Sequence, residues 1–217
     1  MERKINPVVM LVSSIVCLLP IVLALTIYND LPEKMVMQWN LQGEPNWYAP
    51  KAVGAFILPL FFLVLNIFVK ILVSKDPKKA SISKAMRIFI DWFVPFISLT
   101  VVPLMLFMAL GVNIPVPFIV LMFVGLLFLI IGNYLPKNRQ NHSAGIRITW
   151  TLNDPDNWNK THRMAGFLWI GGGIIFIVLS FLSLDHSLML ILIFSAVAVM
   201  VTVPILYSYS LYKRSKK

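Results

Sequence analysis

Six long apolar stretches, separated by short polar segments, dominate the pattern of the chain. They cover residues 7–27, 52–73, 88–110, 114–134, 164–181 and 187–207. Each is close to the roughly 20 residues that an α-helix needs to cross the hydrocarbon layer of a membrane. The fifth stretch is the shortest, and a start a few residues earlier fits the pattern as well. The chain is therefore predicted to be an all-α membrane protein, a bundle of six transmembrane helices.

The first long polar segment, residues 28–51, has a pattern of its own. Large apolar residues recur at every second position from Met35 to Leu41, which predicts a short strand. Residues 43–46 have the composition of a turn, and Trp47 with Tyr48 is typical of an aromatic anchor at the membrane surface. We expect a small structured loop, which serves either as a cap on the membrane or as a recognition surface.

Two further polar segments, residues 74–87 and 135–163, contain signals for the start of a helix. Asp76 and Asp154 each precede a proline, an arrangement typical of a helix N-terminus. The second signal predicts a helix that runs from Pro155 into the fifth apolar stretch. One face of this helix would carry four residues at helical spacing: Trp158, Thr161, His162 and Ala165.

Composition excludes a soluble globular domain. Of the 217 residues, 59% are hydrophobic and only 13% are charged, whereas a soluble domain carries about 25% charged residues. The single cysteine, Cys17, lies inside the first apolar stretch, so neither an intrachain disulfide nor a cysteine zinc site is expected.

The distribution of positive charge predicts the orientation of the helices. The net charge is +10, and the basic residues form short blocks between the apolar stretches rather than the continuous face of a nucleic-acid-binding protein. Seventeen Lys and Arg residues belong to the two termini and to residues 70–87 and 137–163, against only Lys34 and Lys51 on the opposite side. The positive-inside rule then predicts cytoplasmic termini, an outer loop at residues 28–51, and a multi-pass protein of the cell membrane.

Asp91 is the clear carboxylate within an apolar stretch, and acids at membrane depth are functional candidates by default. Arg87 lies one helical turn earlier on the same face. We therefore favour a structural ion pair between the two side chains.

No catalytic or metal-binding pattern emerges from the polar segments. His142, His162, Asp154 and Asp156 match the spacing of no zinc motif. The catalytic-triad residue types near residue 185 are almost consecutive, whereas the members of a triad converge from separate elements. We predict that the protein is not an enzyme and binds neither a cofactor nor a metal.

The inner segment from residue 132 to residue 166 resembles the signature of the Sdp immunity-protein family of bacteria. The similarity is carried by Gly132, Asn133, Pro136, Asn141, Gly145, Arg147, Trp150, Thr151, Leu152, Trp158, Thr161, His162 and Gly166. The outer loop is similar to an extracytoplasmic module of unknown function that often forms the amino-terminal part of these proteins. Its matching positions are Pro32, Trp39, Gly43, Pro45, Tyr48 and Lys51.

This resemblance implies two domains. Residues 1–73 would form the N-terminal module, with two helices and the outer loop 28–51. Residues 74–217 would form the membrane domain of the Sdp immunity type, with four helices and the inner signature loop 132–166.

The resemblance also implies immunity to a secreted, membrane-active peptide toxin, without catalytic chemistry. It further implies signal transduction, in which the cytoplasmic side of the toxin-bound protein holds a transcriptional repressor at the membrane. The expected partners are therefore the lipid bilayer, the toxin and the repressor, with no direct contact to nucleic acid. Outer-loop recognition would use Pro32, Trp39, Gly43, Tyr48 and Lys51. Partner binding or signalling would use the inner residues Asn133, Pro136, Asn141, Gly145, Arg147, Trp150, Thr151, Trp158, Thr161 and His162.

Two alternatives stay open. Six helices allow a small-molecule or ion-coupled transporter, although Asp91 and Asn66 are thin support for a polar pathway. An envelope-stress membrane protein without a toxin partner is not distinguished from an immunity protein by these residues.

Overall fold

The computed structural model describes residues 6–40, 44–75, 82–182 and 184–216. Over these residues, six helices are long and apolar enough to cross a membrane, which confirms the predicted fold class. Gly43 and the Asp76–Pro77 helix start lie outside the described residues. The long helices are α1 Pro7–Ile27, α2 Leu58–Ser74, α3 Lys84–Ala109, α4 Val116–Tyr134, α6 Pro155–Phe181 and α7 His186–Ser215, and α5 is the short helix Thr149–Asn153.

Helix boundaries follow the apolar pattern closely where the flanking residues are polar. α1 has the predicted bounds, and α6 starts at the predicted Pro155. α7 continues for about two turns beyond residue 207, because its last turn contains Lys213 and Arg214, which have high helix propensity and interact favourably with the helix C-terminus. One turn of π-helix, Val53–Ile57, leads into α2.

A β-hairpin joins α1 to α2, so the predicted strand is confirmed and a second strand, not predicted, pairs with it. β1 spans Lys34–Trp39 and β2 spans Pro45–Pro50, in antiparallel register with Met35 opposite Ala49. The Met35 side chain is buried, and a Cβ on Gly54 would lie 3.1 Å from Met35 Cε. Glycine at this position therefore allows the hairpin to pack closely on the start of the second membrane helix.

The chain divides into two compact units that interleave in sequence. Unit 1 comprises residues 1–75 and 87–114, and unit 2 comprises residues 76–86 and 115–217. The apolar core of unit 1 includes Cys17 of α1, Phe62 of α2 and Val102 of α3. Within it, the Ser98 hydroxyl donates a hydrogen bond of 2.8 Å to the Cys17 carbonyl oxygen. The domain boundary at residues 73/74 stays a prediction.

In unit 2, α4 and α6 pack together along two pairs of glycines. A Cβ on Gly132 would lie 2.9 Å from the Gly166 carbonyl oxygen, and a Cβ on Gly173 would lie 2.7 Å from the Gly125 carbonyl oxygen. Because these contacts involve backbone atoms, no side-chain movement could relieve them. The two helices therefore approach more closely than larger residues would permit.

Candidate functional site

The inner signature residues lie in unit 2, on the connection from α4 to α6 and on the first turns of α6. A short 3-10 turn, Leu135–Lys137, follows α4. Asp154 caps α6, because its carboxylate accepts hydrogen bonds from the N–H groups of Asp156 and Asn157 at 2.8 and 3.2 Å. This confirms the predicted helix start. The next signature residues, Trp158, Thr161 and His162, lie on the first turns of this helix.

Trp158 and His162 form the centre of the segment. Both side chains are completely buried, and their rings stack with centroids 3.9 Å apart. His162 Nε2 accepts a 2.9 Å hydrogen bond from the Ile146 N–H, and Nδ1 lies 2.8 Å from the Trp158 carbonyl oxygen. Since one nitrogen faces a donor and the other an acceptor, the imidazole is neutral with its proton on Nδ1. His162 thus attaches the loop, through the backbone of Ile146, to the first turns of α6.

The side chains of Asn138 and Asn141 form hydrogen bonds with the loop backbone where it has no regular secondary structure. Trp158 Nε1 donates to the Asn138 carbonyl oxygen at 2.8 Å, and Asn138 Nδ2 donates to the Ala144 carbonyl oxygen at 3.2 Å. Asn141 Oδ1 accepts from the N–H groups of Ser143 and Ala144 at 2.9 and 2.7 Å. Buried backbone groups that have no helix or strand partner are satisfied in this way.

A third set of buried side chains ties α6 to α7. Asn157 Oδ1 accepts hydrogen bonds from the hydroxyls of Thr161 at 3.0 Å and Ser208 at 2.6 Å, and Asn157 Nδ2 donates to the Ser208 carbonyl oxygen. Thr151 is also buried, and its hydroxyl donates to the Ile146 carbonyl oxygen at 2.7 Å. Five of the predicted inner residues are therefore buried, and each takes part in these hydrogen bonds or in ring stacking: Asn141, Thr151, Trp158, Thr161 and His162.

Of the other five inner residues, Gly145 lies over His162, and four lie at or near the surface. Asn133, Pro136 and Arg147 are exposed, and Arg147 Nη1 donates to the His142 carbonyl oxygen at 2.5 Å. Trp150 is half-buried against two rings of α7, those of Tyr209 and Tyr212, at centroid distances of 5.5 and 5.8 Å. Asn133, Pro136, Arg147 and Trp150 are therefore the inner signature residues accessible at the surface.

The predicted outer-loop residues divide in the same way in unit 1. Pro32 and Tyr48 are exposed, and Trp39 is partly buried on β1. Lys51 instead holds the base of the hairpin, because its Nζ pairs with Glu33 Oε1 at 3.2 Å and lies 4.7 Å from the centre of the Tyr28 ring.

Asp91 has a buried partner that the sequence interpretation overlooked. Lys70 of α2 is 4% exposed, and its Nζ lies 3.9 Å from Asp91 Oδ1 on α3. The same ammonium hydrogen-bonds to Ser13 Oγ and to the Val9 carbonyl oxygen on α1. From the sequence alone, Lys70 is assigned to the basic residues of the inner side. Its spacing of four from Asn66 was the signal for a shared polar face.

Asn138 and Asn157 were also absent from the predicted site. Asn157 lies four residues before Thr161, a spacing that indicates contact on a helix, whereas no local pattern marks Asn138. Over the described part of the chain, no group of three His, Cys, Asp or Glu residues could hold a metal ion.

Six membrane-length helices define the class of a multi-pass membrane protein. Residues 137–208 match the SdpI/YfhL protein family, and residues 15–63 match the Domain of unknown function (DUF1648). The first of these matches covers most of the segment that carries the resemblance seen in the sequence, and it confirms that resemblance.

The similarity to one relative extends over nearly the whole chain. The chain is 28% identical to Immunity protein SdpI of Bacillus subtilis (strain 168) over 205 residues. The aligned region covers 94% of this chain and 96% of that protein. No solved structure matches the chain.

Proposed function

We propose that this chain is an immunity protein of the bacterial cell membrane that protects against a secreted, membrane-active peptide toxin. The observation that carries the proposal is the similarity to Immunity protein SdpI over 94% of the chain, which includes both the hairpin region and the inner signature. Within the proposal both termini are cytoplasmic, because 17 of the 19 basic residues then lie on the inner side.

The geometry of the inner loop supports a division of labour among the signature residues. Asn141, Thr151, Trp158, Thr161 and His162 keep the loop in one conformation, because each is buried in hydrogen bonds or stacking. Asn133, Pro136, Arg147 and Trp150 would meet a cytoplasmic partner, and a transcriptional repressor held at the membrane is the partner we propose. On the outer side, Pro32, Trp39 and Tyr48 would contact the toxin, and Lys51 would hold the base of the hairpin. Gly43, outside the described residues, stays a predicted recognition residue.

The experiment that tests the proposal is survival of a toxin-sensitive bacterium that expresses this chain during challenge with an Sdp-type peptide toxin. We expect wild type to protect. Arg147→Ala should lose much of the protection at unchanged abundance in the membrane, because this side chain is exposed and removal of its guanidinium leaves no cavity. Lys160→Ala is the matched control, since Lys160 is an exposed basic residue that pairs with Asp156 on the same unit.

His162→Ala distinguishes a structural role from a contact role. We expect it to lower abundance and protection together, since it removes the acceptor for the Ile146 N–H. Well-expressed wild type that gives no protection would reject immunity to that toxin. Equal protection by Arg147→Ala and wild type would reject the role of the exposed inner residues.

A further inference from the structure

Unit 1 contains a polar cluster inside its helices that the immunity proposal does not use. Ser13, Lys70 and Asp91 each lie between four and seven residues from the nearer end of α1, α2 and α3, respectively. With a rise of 1.5 Å per residue, this is about 6–11 Å inside each helix. Charged side chains at such depth are unfavourable and are characteristic of proton and ion pathways.

Lys70 is bonded more closely to α1 than to Asp91. The ammonium hydrogen-bonds to Ser13 Oγ and lies 3.4 Å from the Val9 carbonyl oxygen, both on α1. Its distance of 3.9 Å to Asp91 Oδ1 is an ion pair but is too long for a hydrogen bond. Asp91 could therefore gain a proton without loss of the bonds that join α1 to α2.

Burial and hydrogen bonding distinguish Asp91 from the other members of the cluster. The Asp91 side chain is 26% exposed, whereas that of Lys70 is 3% exposed. Asn66 Nδ2 donates to the hydroxyls of Ser13 and Ser14, whereas Asn66 Oδ1 is buried and has no hydrogen-bond partner among the described residues. The cluster therefore contains a buried acceptor that is available to a proton donor.

We propose that Asp91, with Lys70 and Asn66, forms an intramembrane proton-binding site in unit 1. The Asp91 carboxylate takes up one H⁺ to become a neutral acid and releases it again, while Lys70 stays bonded to α1. Among the described residues, the other titratable or charged groups that act on this site are Arg87, one turn earlier on α3, and the Cys17 thiol on α1. The site would make unit 1 responsive to protons independently of the toxin.

The test is infrared spectroscopy of the full-length protein in lipid nanodiscs as pH is varied over roughly 3–9. We expect one carboxylic-acid C=O band at higher frequency than the band of exposed acids, because the group is partly shielded from water. The band should shift when aspartate is labelled with ¹³C at the side-chain carboxyl. It should vanish in Asp91→Asn and persist in Asp156→Asn, a matched control at an exposed, paired carboxylate.

Two further variants keep the test decisive if Asp91→Asn fails to fold. Asp91→Glu should retain the band but lose its response to the aspartate label. Lys70→Gln should move the pH midpoint of the band by about one unit or more, since a neighbouring positive charge is removed. Absence of such a band in labelled wild type, or its survival in Asp91→Asn, would overturn the proposal.

Discussion

The conformation of the inner loop requires a residue without a side chain at position 145, which is glycine. The backbone has φ +123°, a conformation that L side chains rarely adopt, and a Cβ there would overlap His162 Nε2. The same Cβ would lie 3.1 Å from Trp158 Cη2. The glycine therefore lets the backbone lie directly over the buried ring pair.

We expect Gly145→Ala to destabilise the protein more than Gly111→Ala does. Both positions have positive φ, which costs about 1–3 kcal/mol for a non-glycine residue. Gly111 has open space around its missing side chain, whereas Gly145 faces His162. Thermal unfolding of both variants in the same detergent measures the difference, and equal midpoints would show that the overlap with His162 is relieved without cost.

At this scale the sequence located the important positions but not their roles. Helical spacing correctly grouped Trp158, Thr161 and His162 on one face, and the structure buries all three. The partner of Trp158 Nε1 is the Asn138 carbonyl oxygen, 20 residues away. Such a contact depends on how the loop folds back, and no period or motif encodes it.

Among the elements, the α4–α6 pair shows what a search for short motifs overlooks. The glycines recur at a spacing of seven on each helix, 125 with 132 and 166 with 173, and they meet in antiparallel order. A search for GxxxG finds nothing at this spacing.

Of the two strands of the hairpin, only β1 was predicted from the sequence. β2 begins and ends with proline, which is unusual in a strand, and it acquires its strand conformation from pairing with β1.

We expect Gly132→Ala and Gly173→Ala to destabilise the helix pair. Each added methyl group would lie within 3 Å of backbone atoms of the facing helix, and overpacking of this kind costs about 1–3 kcal/mol. Gly171→Ala is the control, because its missing side chain faces open space on the same helix. Thermal midpoints in detergent provide the comparison; a loss of stability in the control equal to that in the other two variants would refute close packing as the cause.

For the molecule as a whole, apolar length was sufficient to predict six membrane helices, because the requirement is set by the thickness of the membrane. The grouping of those helices was not readable from the sequence. Residues 87–114 join residues 1–75 in one compact unit, although the segment between them belongs to the other unit. Tertiary packing decides such a grouping, and no local pattern records it.

The proposed orientation can be tested with single cysteines and a membrane-impermeant maleimide on intact cells. Cys17 is fully buried, so the native thiol should contribute little labelling. We expect Asn46→Cys, on the exposed face of the hairpin, to react from outside. Asn159→Cys, exposed on α6, should react only after the cells are permeabilised. If Asn159→Cys reacted on intact cells and Asn46→Cys only after permeabilisation, the orientation would be the reverse of the one proposed.

The Lys70–Asp91 pair has a consequence for how the protein is made. Asp91 follows Lys70 by 21 residues, so a ribosome that adds about 5–20 residues per second delivers the acid about one to four seconds after the base. During that interval the ammonium can bond to Ser13 and Val9 of α1, which are already made, but it has no carboxylate to face. The charge of Lys70 is therefore balanced only when the third helix, the last segment of the first compact unit, has entered the membrane.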